Sequence, residues 1–126
     1  MSVGVLVITH SDIGKQMVLT ATSVYGKNPL RLEILSVDNF DQPADMISLA
    51  QKYVKFLDDG NGVLVLTDMI GATPSNIASS IKHKKIKIIS GLNLSMILNI
   101  LNYPKDNLEK LTKRAIQGGT EGIVVI

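Results

Sequence analysis

Apolar residues follow two rhythms along the chain. Four short stretches are almost continuously apolar and rich in β-branched residues: Ser2 to Thr9 (SVGVLVIT), Leu30 to Val37 (LRLEILSV), Gly62 to Thr67 (GVLVLT) and Lys85 to Ser90 (KIKIIS). A strand with one wet face alternates apolar and polar side chains. A run without that alternation suits a strand covered on both faces, as in a parallel sheet. Between these runs the apolar positions recur at helical spacing, near Ile13 to Tyr25, Pro43 to Leu57 and Pro74 to Lys82. Strands alternating with helices predict right-handed βαβ crossovers and an α/β, doubly wound, mainly parallel sheet with helices on both faces.

The punctuation agrees with this order. Pro43 follows Asp41 and Gln42 at the start of one helix, and Asp58-Asp59-Gly60-Asn61-Gly62 closes it in a turn. In "ATPSN", Thr73 stands where an N-cap belongs and Pro74 where a missing N–H does no harm. Asn93 is placed to cap a short apolar helix (LSMILNIL) that Pro104 ends. Asn107 or its neighbours open a last helix to about Gln117, where Gly118 and Gly119 are expected to stop it. The tail from Gly122 to Ile126 (GIVVI) reads as a fifth strand. An apolar strand needs a partner, either the edge of its own sheet or a neighbouring subunit, and the pattern does not choose between them.

Composition narrows the function classes. The 126 residues suit one domain, and 45% hydrophobic with 19% charged residues is a globular rather than a disordered balance. A net charge of +2 lacks the concentrated basic face of a nucleic-acid binder. The one dense basic run, Lys82-His83-Lys84-Lys85-Ile86-Lys87, reads as a solvated helix end and strand entry, with His83 a surface residue of structural role. No apolar stretch approaches the roughly 20 residues that span a bilayer, and no signal region opens the chain, so a cytoplasmic protein is expected. With no cysteine, disulfides, thiolate metal sites and cysteine nucleophiles are excluded together. No cofactor is expected.

Candidate chemistry follows from topology. In a sheet of order 2-1-3-4, strands one and three are neighbours, and the crevice at their carboxyl ends is the expected ligand site. His10 follows strand one and Asp68 follows strand three, so two polar residues far apart in sequence meet there. A neutral imidazole is a nucleophile through one ring nitrogen when a carboxylate holds the other, and Asp68 is placed to do so. In the loop "DMIGATPSN", Gly71 permits close backbone approach, Thr73 adds a hydroxyl, and the following helix start presents free N–H groups. Together these describe a histidine that carries a phosphoryl group, although on the residues alone a generic anion-binding pocket stands as an equal reading.

Other templates fit poorly. Gly14-Lys15 lacks the upstream glycine and the following Ser or Thr of a P-loop, and no Gly-x-Gly-x-x-Gly turn follows strand one. A catalytic metal usually takes three protein ligands, and here His10 and Asp68 give two, with Asp12 a strained third. A receiver domain wants acidic residues after strand one and a lysine after strand five, where Thr9-His10 and the chain terminus stand.

The chain resembles the IIA domains of the mannose, fructose and sorbose class of the bacterial phosphoenolpyruvate-dependent sugar phosphotransferase system (PTS). The resemblance runs from Thr9-His10 through Thr67-Asp68-x-x-Gly71-x-Thr73-Pro74-x-Asn76 to Ser90-Gly91-Leu92-Asn93, Met96 and Gly119-Thr120-Glu121-Gly122. It implies a single IIA domain over residues 1–126, with no fused IIB. It implies that His10 takes a phosphoryl group from phospho-HPr and passes it to a IIB domain, with Asp68 bonded to the other ring nitrogen. It further implies a homodimer in which the C-terminal strand crosses to the partner's sheet, and at most peripheral association with a membrane transporter complex. Thr73 stands where many members have serine. Ile70, Ala72 and Ser75 depart from the family's usual residues in that loop and are expected on the rim where partner domains dock. Alternatives within the resemblance are a regulatory phosphocarrier without a transporter, or a subunit serving dihydroxyacetone kinase.

Overall fold

The computed structural model describes residues 2–126. The four apolar runs form four parallel strands, β1 (Gly4–His10), β2 (Arg31–Val37), β3 (Val63–Thr67) and β4 (Ile86–Ser90), in the order β2-β1-β3-β4. Between and after them lie five helices, α1 (Ile13–Tyr25), α2 (Pro43–Leu57), α3 (Thr73–Ser79), α4 (Leu94–Leu101) and α5 (Leu108–Glu121). Every side chain from Val5 to Ile8 and from Val63 to Leu66 is fully buried, which is why those runs do not alternate. Val5, Val7, Leu64 and Leu66 face α1, α4 and α5. Leu6, Ile8, Val63 and Val65 face α2 and α3. Each buried aliphatic side chain contributes about 1.5–3 kcal/mol, so the two central strands form the firmest platform in the molecule. Register carries that firmness to the carboxyl ends, where His10 pairs with Val37 and Thr67 pairs with Ser90.

Helix starts depend on local bonding. The side chains of Asn93 and Asn107 accept from the N–H of Met96 and Lys110 at 3.0 and 2.9 Å, so both asparagines cap as expected. Thr73 does not cap α3. Ala72 takes that place in an extended conformation without a side-chain cap bond, and Thr73 and Pro74 are the first two helical residues. Because none of the first four N–H groups has an intrahelical partner, proline fits the second position as well as the first. The same helix ends at Ser79 rather than Lys82. Gln51 on α2 supplies the reason: its side chain accepts from the Lys82 N–H at 2.9 Å and donates to the Lys82 carbonyl at 2.7 Å. Both backbone groups of Lys82 are thereby taken out of helical pairing.

One expectation about the C-terminal region is corrected, and one alternative is narrowed. Gly118 and Gly119 do not stop α5, which continues to Glu121. A Cβ at Gly118 would run into Asn99, and one at Gly119 would sit 2.9 Å from the Met96 methyl, so these glycines let α5 lie against α4. Asn99 then donates to the Arg114 carbonyl at 2.6 Å across the same contact. Of the two partners open to the tail, the edge of this chain's own sheet is not the one it takes, since that sheet has four strands. The Ile123 N–H donates back to Thr120 at 3.2 Å, which holds the chain to the end of α5, and Ile123 to Ile126 extend unpaired and exposed. No helix among the described residues is long and apolar enough to cross a membrane.

Candidate active site

The parallel pairing of β1 with β3 sets Ile8 beside Thr67, so His10 and Asp68 emerge together at the carboxyl ends. The His10 Nδ1 lies 2.7 Å from Asp68 Oδ2, and the same oxygen accepts the His10 backbone N–H at 3.0 Å. The imidazole is 46% exposed while the carboxylate is only 9% exposed. Burial works to raise the Asp68 carboxyl, but the His10 N–H, the ring and its charge outweigh burial and hold it below the ordinary value. A charged carboxylate facing Nδ1 favours the tautomer with the proton on that nitrogen. Nε2 then keeps its lone pair, on a ring that is nearly half exposed. Asp68 Oδ1 is buried and has no hydrogen-bond partner among the described residues.

Above the ring opens a cavity of about 340 Å³, lined by His10, Asp38, Asn39, Asp41, Gln42 and Thr73, among others. Thr73 is thus brought to the site as the sequence predicts. Gly71 is not among the lining residues; its left-handed backbone, at φ 78°, turns the loop between Asp68 and α3. Asp12 leaves the site altogether, since its Oδ1 accepts the Ser36 hydroxyl at 3.0 Å.

Beneath the loop lies a cluster that sequence reasoning missed. Ser75 was expected on the docking rim, yet it is buried. Its hydroxyl donates to the Met69 carbonyl at 2.6 Å and lies 2.7 Å from the Thr67 hydroxyl and 2.8 Å from the Ser90 hydroxyl. Thr67 and Ser90 themselves are 2.6 Å apart, so three protons serve four contacts that pin β3, β4, α3 and the loop together. The only sequence signal was a hydroxyl residue at the end of each of two strands that prove to be paired. Gly14 lets α1 pack closely on the end of β1. Its N–H donates to the Thr9 hydroxyl at 2.9 Å, and a Cβ there would stand 2.8 Å from that oxygen. Ile70, expected on the rim with Ser75, is exposed, as are Met69 and Phe40, the last at 95%. Ala72 is half-buried.

His83 is half-buried rather than fully on the surface. At the opposite end of the sheet its Nε2 lies 2.6 Å from Asp58 Oδ2. That contact first, then the N–H groups of Gly60 and Gly62, lower the Asp58 carboxyl to about 2, against the opposing effect of burial.

The chain is 28% identical over 130 residues to the "PTS system mannose-specific EIIAB component" of Escherichia coli (strain K12), a match that covers 98% of this chain and 39% of that protein. It therefore spans about two fifths of the length of that curated relative. The crystal structure of phosphotransferase system component EIIA from Streptococcus agalactiae superposes with a TM-score of 0.85 at 26% identity, over 98% of this chain and 96% of that one. The mannose/sorbose specific IIA subunit from Enterococcus faecalis shares the fold, with a TM-score of 0.85 at 22% identity over 100% of this chain and 96% of that one. The family model EIIA-man, described as "PTS system fructose IIA component", matches residues 4–116, and the chain belongs to that family of phosphotransferase-system IIA components.

Proposed function

We propose that the protein is a phosphoryl carrier in which His10 accepts a phosphoryl group from phospho-HPr and passes it to a IIB domain for sugar uptake. The observation that carries this reading is the 2.7 Å contact of His10 Nδ1 with a buried carboxylate, which leaves Nε2 as the exposed nucleophile. In the transfer, the Nε2 lone pair forms a bond to phosphorus. The donor's N–P bond breaks, and its electron pair stays on the donor ring nitrogen. The Nδ1 proton remains shared with Asp68, whose charge offsets the positive charge developing on the ring. Thr73, which lines the cavity, is the group we assign to the phosphoryl oxygens, and we assign Gly71 the turn that brings the loop and Thr73 to that cavity. Neutral donors suit a carrier, because an arginine clamp would hold a group that must leave again.

The same reading includes a homodimer. The exposed apolar tail from Ile123 to Ile126 and the open edge of β4 are complementary features, and we assign the tail to a partner's sheet.

Incubation with phosphoenolpyruvate, enzyme I and HPr tests the carrier. An acid-labile phosphate on the intact protein, absent from His10→Ala, is expected. An unlabelled wild type beside active donors overturns the carrier reading, and label persisting in His10→Ala overturns the assignment to His10. Discharge of the label by a IIB domain separates transport from a purely regulatory role.

A further inference from the structure

Ser11 is the one non-glycine residue with a left-handed backbone among the described residues, at φ 43°, and it directly follows His10. An L-residue keeps that conformation where its surroundings over-determine it. Here three bonds do so. The Ser11 N–H donates to the Val37 carbonyl at 2.8 Å, and the Ser11 carbonyl accepts the Thr9 hydroxyl at 3.3 Å. The Ser11 hydroxyl donates to Asp38 Oδ1 at 3.0 Å. Asp38 is fixed in turn, because its N–H donates to Asp41 Oδ2 at 2.8 Å and the Asp41 N–H donates to its carbonyl at 3.1 Å. The hydroxyl of an exposed serine ordinarily bonds to water; this one ties the residue after His10 to the loop that walls the cavity.

The purpose of that tie lies in the bonding of His10. A single oxygen, Asp68 Oδ2, accepts both the backbone N–H and the ring of His10. That arrangement requires the main chain and the ring to be held together. Pairing of β1 with β2 fixes the chain up to His10, and Ser11 fixes it beyond.

We infer that Ser11, through Asp38, is a positioning residue that holds the His10 ring in its Nδ1-protonated tautomer against Asp68, with Nε2 presented to the cavity. The purpose of this role rests on the phosphoryl-carrier reading, whereas its geometry does not. Without the tie the turn relaxes and the ring leaves Asp68 for part of the time. The rate of phosphoryl acceptance falls with the fraction of time the ring is presented.

The test uses the full chain. Ser11→Gly adopts the left-handed turn without steric cost and removes the exposed hydroxymethyl group with its bond to Asp38, so it folds. Asp38→Asn retains an acceptor oxygen, and Asp38→Ala does not. Nitrogen chemical shifts of the His10 ring, measured on unphosphorylated protein, are expected to report one tautomer in the wild type and an average of two in Ser11→Gly and Asp38→Ala. Those two variants should accept phosphoryl from phospho-HPr roughly three- to tenfold more slowly, with unfolding temperatures near that of the wild type. Asp38→Asn should lie closer to the wild type than Asp38→Ala in both measurements. Unchanged ring shifts in Ser11→Gly and Asp38→Ala overturn the inference, as does an Asp38→Asn no better than Asp38→Ala. The ring measurement needs no donor, so a wild type that never takes phosphate overturns the carrier reading while the positioning role is judged on the ring alone.

Discussion

Asp68 is the residue on which the site turns. Because Oδ2 accepts from both the ring and the backbone N–H of His10, replacement by asparagine disturbs the ring more than the fold. An amide oxygen accepts the backbone bond but supplies no charge, and an amide nitrogen turned to the ring favours the wrong tautomer. Asp68→Asn should therefore keep its unfolding temperature within a few degrees and accept phosphate on the order of a hundredfold more slowly, as rapid-quench labelling would read. A fully active variant would mean that Asp68 is a turn residue. His10 and Asp68 were legible in the sequence because each follows an unbroken apolar run, and topology alone makes such residues neighbours. Ser75 was not, since a serine one residue past Pro74 looks the same whether it faces water or three hydroxyl and carbonyl partners. Ser11 escaped for a similar reason: its left-handed backbone follows from bonds to Val37 and Asp38 that only the folded chain brings near.

At the scale of elements, the pattern was read well where one face or one cap decides the outcome. It was read poorly where another element intervenes. The bounds of α1 and α2 follow from periodicity and from Pro43, and Asn93 and Asn107 cap as their side chains allow. By contrast the end of α3 is set by Gln51, about thirty residues upstream, and the passage of α5 through two glycines is set by the surface of α4. That second case is testable. Gly118→Leu should cost about 1–3 kcal/mol, because the side chain meets Asn99 and forces α5 away from α4. Gly118→Ala should cost less but remain destabilising, despite the higher helix propensity of alanine. Denaturant unfolding of both variants would check the order, and a stabilised alanine variant would show the contact to be loose.

The whole molecule places its two histidine–carboxylate pairs at opposite ends of one sheet, with different duties. Near His10 the ring is exposed, whereas the His83 ring is held between the turn after α2 and the entry to β4. The Asp58 carboxyl titrates at about 2 in the folded protein against 3.8 for a free side chain. The folded state therefore binds fewer protons than the unfolded one across that interval. Asp58 contributes stability above pH ~3.8 that is lost as the pH falls toward ~2. Asp58→Asn should lower the unfolding temperature at neutral pH by a few degrees and fall less steeply between pH ~4 and ~2. Thermal melts across that range would show it, and parallel curves for both proteins would argue against the pair.

Removal of residues 123–126 tests the assigned exchange of tails at the same scale. The full chain is expected to sediment as a dimer, and the shortened one as a monomer that still accepts phosphate at His10. A shortened chain that remained dimeric would place the interface elsewhere.

The rigidity of the two central strands has one more consequence. With every side chain from Val5 to Ile8 and from Val63 to Leu66 buried, the platform under His10 has no alternative packing to adopt when cargo arrives. In the proposed carrier, loading would add a charge of about −1.5 to −2 at His10 and leave the outline of the protein otherwise as it was. A partner that tells the loaded from the empty form must then sense electrical potential rather than shape, and added salt should blunt that discrimination before it weakens docking itself.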